Sequence, residues 1–151
     1  MRLRLLLVCV LLGLVSAPLA EADRVYHSEH MDLMRVVGST DPLHKGFVQN
    51  IHPNGPNVYA HEIYVLSGAL PTATYTVHLL VHPFSPMCAG ASTQFAVTPL
   101  ATNRSGNGQA DLFIRPPIPA PIRNATHGVR WEVRRDGVLQ YATACTPVTL
   151  D

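Results

Sequence analysis

The chain has 151 residues with 11 basic and 10 acidic side chains, so its formal net charge at neutral pH is +1. The sequence has no basic stripe of the kind that nucleic-acid binders need, and no block of like charges. The composition therefore argues against a nucleic-acid partner, whereas the chain is long enough for one domain with a sizeable core.

The N-terminus has the layout of a secretory signal peptide. Two arginines precede an apolar run from Leu5 to Val15, and small residues follow it. The favoured cleavage site is Ala20-Glu21-Ala22, which predicts a signal peptide at residues 1–22. A membrane-spanning helix needs about 20 apolar residues, and this run is shorter, so we expect no membrane span after cleavage. Residues 23–151 then form a single secreted or periplasmic domain.

Two cysteines remain after cleavage, Cys88 and Cys145. An even pair in an exported protein is most simply a disulfide, and we predict one here. The alternative is a two-thiol metal or redox site, for which the pair lacks close Cys-x-x-Cys spacing.

Short apolar runs separated by Gly and Pro recur about every ten residues, and no segment shows a helical period longer than two turns. This pattern predicts an all-β fold, an immunoglobulin-like, Greek-key β-sandwich of seven or eight strands. The loop 83–91 contains Cys88 and is irregular. The Pro-rich segment 115–123 lacks four backbone donors and is expected to cross between sheets. The predicted strands are 31–37, 47–52, 93–98 and 109–114, a long pair within 57–82, and a hairpin within 128–145.

The long pair is read as two strands joined by a loop at 67–73. Pairing Ile63 with Val77 collects the apolar residues on one face. Glu62 then lies opposite His78 on the other face. Such a pair is usually a surface interaction, and a catalytic dyad is the alternative.

The closing hairpin contains Asp136-Gly137, and its register depends on the turn. A three-residue loop with Gly137 as a G1 bulge pairs Val133 with Leu139 and Trp131 with Tyr141. We prefer it to a two-residue turn because it puts all the apolar residues on one face. Trp131 is then a core aromatic, with a surface carbohydrate platform as the alternative.

Eight histidines suggest a metal site. On a strand, however, His78 and His82 would stand about 13 Å apart, too far for two metal–nitrogen bonds of about 2 Å. A site would have to be built across strands, and its candidates are His52, His61, Glu62 and His78. The default interpretation is scattered histidines with no metal and no cofactor.

Catalytic signatures are missing from the sequence. It contains no Gly-x-Ser-x-Gly elbow, no phosphate-binding Gly-x4-Gly-Lys and no His-Glu-x-x-His. We therefore expect no catalytic residues and no enzymatic activity. The favoured hypothesis is an exported domain that binds an extracellular or envelope partner. The alternative is a secreted copper- or zinc-binding protein that uses clustered histidines.

One stretch resembles small secreted bacterial β-sandwich proteins of the immunoglobulin-like kind, over residues 59–112. It consists of Leu70-Pro71, then Tyr75-Thr76-Val77-His78-Leu79, a Cys-bearing loop, and Thr102-Asn103 with Gly106-Asn107-Gly108. The resemblance implies a sandwich and no particular activity, since such proteins are mostly uncharacterised. In its pattern of strands followed by turns, this stretch is also similar to the sandwich of copper–zinc superoxide dismutases and chordin-type domains. Their close His-x-His copper pair is missing here, so no metal ligands are implied.

Overall fold

The computed structural model describes residues 26–53, 60–115 and 125–150. The predicted signal peptide, its cleavage site and most of the Pro-rich segment lie outside these ranges. The described residues form ten strands and no helix, so none of them belongs to an apolar helix that could cross a bilayer. The strands are β1 (Tyr26–Asp32), β2 (Met34–Arg35), β3 (Lys45–Pro53), β4 (Ala60–Ser67), β5 (Thr74–His82), β6 (Thr93–Ala101), β7 (Gly108–Ile114), β8 (Ala125–Arg135), β9 (Val138–Ala142) and β10 (Thr146–Leu150).

The strands make two antiparallel sheets that pack face to face as a β-sandwich. Sheet A has the order β1-β3-β4-β7, and sheet B has the order β2-β9-β8-β5-β6, with β10 also paired to β8. The ten strands exceed the predicted seven or eight because β2 is a two-residue strand and β10 a separate short one. The connection from β7 to β8 joins sheet A to sheet B, as predicted for the Pro-rich segment.

The core forms where the inward faces of the two sheets meet. Strand β5 shows the expected period of two, with Tyr75, Val77, Leu79 and Val81 buried. Trp131 of β8 is buried in the same cluster, so its predicted place in the core is confirmed.

The predicted β4–β5 pair is wrong, because the loop between these strands passes from sheet A to sheet B. In the structure Val77 pairs with Val133 of β8. The phase of β4 is also opposite to the prediction: Glu62 and Tyr64 are buried, while Ile63 is only half-buried. Ile63 and Val65 therefore did not mark the inner face of β4.

The predicted register of the closing hairpin is also wrong. The turn has two residues, Asp136 and Gly137, both with positive φ, as a type I′ turn requires. Gln140 is then an extra residue in β9, since Leu139 pairs with Arg134 and Tyr141 with Val133. This bulge, and not a longer turn, brings Tyr141 to the inner face.

An ion pair between buried Asp41 and half-buried Arg135 ties the loop after β2 to sheet B. Arg135 donates from Nε and Nη2 to the two carboxylate oxygens of Asp41, both at 2.7 Å. The Tyr75 hydroxyl donates to the same carboxylate at 2.9 Å, and the Tyr141 hydroxyl donates to the Pro42 carbonyl at 2.7 Å. The Arg135 hydrogen bond is the main reason that the pKa of Asp41 is lowered, so this carboxylate stays ionised as a structural tie.

Candidate functional site

The connection between β5 and β6, residues 83–92, is held in place although it has no regular secondary structure; we call it the pinned loop. A disulfide joins Cys88 to Cys145, with an S–S distance of 2.06 Å and Cα atoms 5.8 Å apart, as predicted. Within the loop, the Cys88 amide donates to the Ser85 carbonyl at 2.9 Å, and the Ala89 amide donates to Ser85 Oγ at 2.9 Å. The loop is thus fixed by one covalent bond and by internal hydrogen bonds.

Strand β8 forms the seat of the pinned loop. The Phe84 amide donates to Nδ1 of His127 at 3.0 Å, and His127 is fully buried. A Cβ added at Gly128 would stand 2.3 Å from the Ser85 carbonyl oxygen and 2.7 Å from the Cys88 nitrogen. Only glycine at this position lets the loop backbone lie so close to the strand.

Two residues of the pinned loop adopt left-handed backbone conformations without being glycine. Phe84 has φ of 56° and Cys88 has φ of 52°. Such a conformation costs a non-glycine residue roughly 1–2 kcal/mol and persists only where the surrounding contacts enforce it. These contacts are the disulfide, the close packing of the loop on Gly128 and the hydrogen bond from the Phe84 amide to Nδ1 of His127.

The pinned loop holds two large apolar side chains in solvent. Phe84 is 63% exposed and Met87 is 82% exposed, and the loop contains no charged residue. Single exposed apolar residues are common on protein surfaces. Here two of them lie three positions apart on a constrained loop, which is the arrangement of a preformed apolar contact surface.

A second unusual feature is a carboxyl group inside the sandwich. Glu62 is 2% exposed. Its Oε2 accepts hydrogen bonds from the Tyr64 hydroxyl and, at 2.8 Å, from Nε1 of Trp131. Burial raises the pKa of Glu62 to about 7, against the opposing effect of these two hydrogen bonds. The group is therefore poised to be neutral at slightly acidic pH.

Glu62 belongs to a polar row on the inner face of sheet A. Glu29, Asn50 and Glu62 are direct neighbours across β1, β3 and β4. Asn50 is 4% exposed, and in the described ranges neither its Oδ1 nor Oε2 of Glu29 has a hydrogen-bond partner. This row offers acceptors that water could satisfy.

The four metal candidates do not converge. His61 points outward from β4, stacked on Phe113 with ring centroids 4.3 Å apart. His52 and Glu62 belong to the inner face of sheet A, whereas His78 lies in sheet B and contacts Thr76 and Gln94. Across the described parts of the chain, no group of three or more His, Cys, Asp or Glu side chains is placed to hold a metal ion.

The predicted contact between Glu62 and His78 is wrong, because the two residues lie in different sheets. The acidic residue opposite His78 is Glu132 of β8. Glu132 in turn accepts from Arg134 at 2.7 Å, so an ion pair between buried Glu132 and more exposed Arg134 occupies the position where a dyad was considered.

Sequence reasoning missed both the exposed pair Phe84 and Met87 and the buried carboxyl of Glu62. The pinned loop did carry a signal, since an uncharged segment with prolines on both sides of Phe84 adjoins a predicted half-cystine. For Glu62 one partner, Tyr64, is two residues away, but the indole partner is 69 residues away and could not be identified from the sequence. No protein-family model, no curated protein and no solved structure matches this chain.

Proposed function

We propose that this chain is an exported, non-catalytic binding domain with an immunoglobulin-like, Greek-key sandwich. Its pinned loop recognises an apolar surface on an extracellular or envelope protein. The observation that carries this proposal is the exposure of Phe84 and Met87 on a loop fixed by the disulfide and by β8.

Preorganisation is the physical reason to favour the pinned loop over other exposed apolar residues. Binding normally costs about 0.5–1.5 kcal/mol for each side chain that becomes ordered, and more for a loop that must fold. A loop already held by a disulfide avoids much of that cost. Aromatic side chains dominate the energetics of many interfaces, and the flexible thioether of methionine adapts to varied apolar surfaces.

Export is supported by the disulfide, which is compatible with an oxidising extracellular or periplasmic compartment. The predicted signal peptide at residues 1–22 points the same way. The protein would meet its partner in that compartment, where the Cys88–Cys145 disulfide of the pinned loop stays oxidised.

The chemistry of the pinned loop also limits the kind of partner. With no charge in residues 83–92, recognition depends on apolar burial. It should change little with ionic strength, since salt screens charges and not apolar contacts.

The test is selection of a random peptide library, displayed on phage, against the disulfide-intact protein beginning at Asp23. We expect the recovered peptides to be apolar and uncharged. The double variant F84A/M87A should weaken binding of a synthetic recovered peptide by about tenfold or more, since hot-spot truncations cost about 2 kcal/mol.

Val138→Ala is the matched control. Val138 is 59% exposed, similar to Phe84, but lies beside the Asp136-Gly137 turn at the far end of β8. It should leave the peptide affinity unchanged. Equal binding by F84A/M87A and the unaltered protein, or recovery of no peptide at all, would refute the proposed function.

A further inference from the structure

One hydrogen bond between the pinned loop and β8 depends on the protonation state of a histidine. The donor is a backbone amide, that of Phe84, and the other atom is Nδ1 of His127 at 3.0 Å. A backbone N–H can only donate, so Nδ1 must carry no proton, and Nε2 carries it in the neutral ring. The hydrogen bond therefore exists only with neutral His127.

We infer that His127 is a pH-sensitive latch: its neutral ring holds the pinned loop, and its protonation releases the loop. In the imidazolium form both ring nitrogens are donors, so the N–H of Nδ1 would face the N–H of Phe84. Imidazole is the side chain that ordinarily changes charge between about pH 5 and pH 8.

Burial makes the neutral and the protonated states of His127 differ strongly in free energy. His127 is fully buried, and a charge inside a protein is costly unless it is paired or rehydrated. Moving the loop away would hydrate the ring and also relieve the positive φ of Phe84 and Cys88. The disulfide would keep the released loop attached.

Among the residues that the structure describes, ionisable groups near His127 lie on β5 and in sheet A. On β5, His82 pairs with Gly128, next to His127, and is itself buried. On β10 the residue opposite His127 is Val148, which is apolar, and the pinned loop has no charge. Along β8, Trp131, whose indole donates to Glu62, is about 13 Å from His127 by strand rise.

Sheet A adds two more inward-facing ionisable groups towards the same end of the sandwich, Glu29 of β1 and His52 of β3. Of these groups, His82 is the histidine on the strand that pairs with this part of β8. It therefore sets the control.

The consequence of the latch, loss of partner recognition at acidic pH, rests on the proposed function. The latch itself can be tested without a partner. The readout is hydrogen exchange of the Phe84 amide by NMR, corrected for the intrinsic effect of pH. The His127 ring C–H shifts in the same sample report its charge.

In the disulfide-intact protein, we expect protection of the Phe84 amide to fall about tenfold or more as the His127 ring becomes charged, while β3 and β4 amides stay protected. His127→Asn supplies an amide oxygen near the Nδ1 position that does not titrate. It should keep Phe84 protected at about pH 5. His82→Asn should keep the response of the unaltered protein.

Three results would overturn the latch. Phe84 protection could stay constant although His127 is charged, His127 could stay neutral until the whole protein unfolds, or His82→Asn and not His127→Asn could abolish the response. If His127→Asn does not fold, the latch is still tested by comparing the His127 ring charge with the exchange of the Phe84 amide in the unaltered protein.

The peptide measurement separates the two proposals. Release of the loop at acidic pH without any effect of F84A/M87A on peptide binding supports the latch and refutes the proposed function. Peptide binding that needs Phe84 and Met87, with Phe84 exchange independent of His127 charge, supports the function and refutes the latch.

Discussion

At the residue scale, the protonation of Glu62 makes the stability of the fold depend on pH. Its pKa rises from 4.5 to about 7 on folding because burial disfavours the carboxylate. Between these two values the unfolded chain is ionised at Glu62 while the folded chain keeps the proton. Raising the pH through this window therefore favours unfolding, and above about pH 7 the penalty is constant.

Glu62→Gln should remove this penalty. We expect the variant to match the unaltered protein near pH 4.5 and to be more stable at about pH 8, by about 3 kcal/mol. The measurement is denaturant unfolding across this range, followed by the fluorescence of Trp131, the only tryptophan of the chain. Its indole donates to Glu62, so the native signal should titrate as well.

Asp111→Asn is the control for that series, because the side chain of Asp111 is 65% exposed. It should follow the pH dependence of the unaltered protein. A stability difference between Glu62→Gln and the unaltered protein that does not change with pH would show that Glu62 is ionised in both states or in neither.

Tyr75 joins three parts of the molecule through one hydroxyl group. The hydroxyl donates to Asp41, accepts from the Leu70 amide at 3.3 Å and lies 3.1 Å from the Tyr141 hydroxyl. Tyr75→Phe would leave buried partners unsatisfied, so we expect a loss of about 2 kcal/mol in the free energy of unfolding.

Guanidinium unfolding midpoints measure this loss. Thr126→Val, which removes an exposed hydroxyl, should change stability by no more than about 0.5 kcal/mol. Equal effects of Tyr75→Phe and Thr126→Val would contradict the structural role of the Tyr75 hydroxyl.

At the scale of elements, the disulfide is the main tie between the pinned loop and the end of the chain. It links positions 57 residues apart, for which loop-closure entropy predicts a stabilisation of about 4 kcal/mol. The double variant Cys88→Ala/Cys145→Ala should lose stability of this size. Reduction of the unaltered protein should lower its guanidinium midpoint similarly, and an unchanged midpoint on reduction would contradict this.

The β8–β9 turn tests the corrected register. Gly137 has φ of +78°, and a Cβ there would meet nothing within 4 Å. Gly137→Ala should therefore cost about 1 kcal/mol from backbone strain alone. Thermal unfolding would show this loss, whereas Val138→Ala next to it should be nearly neutral.

The strand prediction succeeded where side chains alternate and failed where they do not. Strand β5 could be predicted because its inward residues are apolar and its outward ones mostly polar. Strand β4 could not, because Ile63 and Val65 are half-buried on the outer face of sheet A while Glu62 faces inward. Hydrophobicity cannot signal an inward carboxyl whose indole donor lies in the other sheet.

The long-range pairing of strands was the second feature that could not be predicted from the sequence. The all-β class and the Cys88–Cys145 disulfide followed from turn spacing and from cysteine count. Sheet membership did not follow, because the Pro-containing loop after β4 has the length of a hairpin but crosses between sheets. The bulge at Gln140 was hidden for a similar reason, since a two-residue turn followed by a bulge brings Tyr141 inward just as the longer turn would.

At the scale of the whole molecule, the two sheets form a frame that holds one uncharged loop in a strained and defined shape. The frame is closed by the core around Trp131 and by the Asp41–Arg135 ion pair. The site itself could not be predicted, because the exposure of Phe84 and Met87 depends on how the loop is seated on Gly128 and His127.

Backbone ¹⁵N relaxation of the disulfide-intact protein at neutral pH tests this account most directly. If the loop is preformed, the amides of Phe84, Cys88 and Gly90 have order parameters near those of the strands, about 0.85. Order parameters below about 0.6 at these three amides, with normal values in β5 and β8, would contradict it.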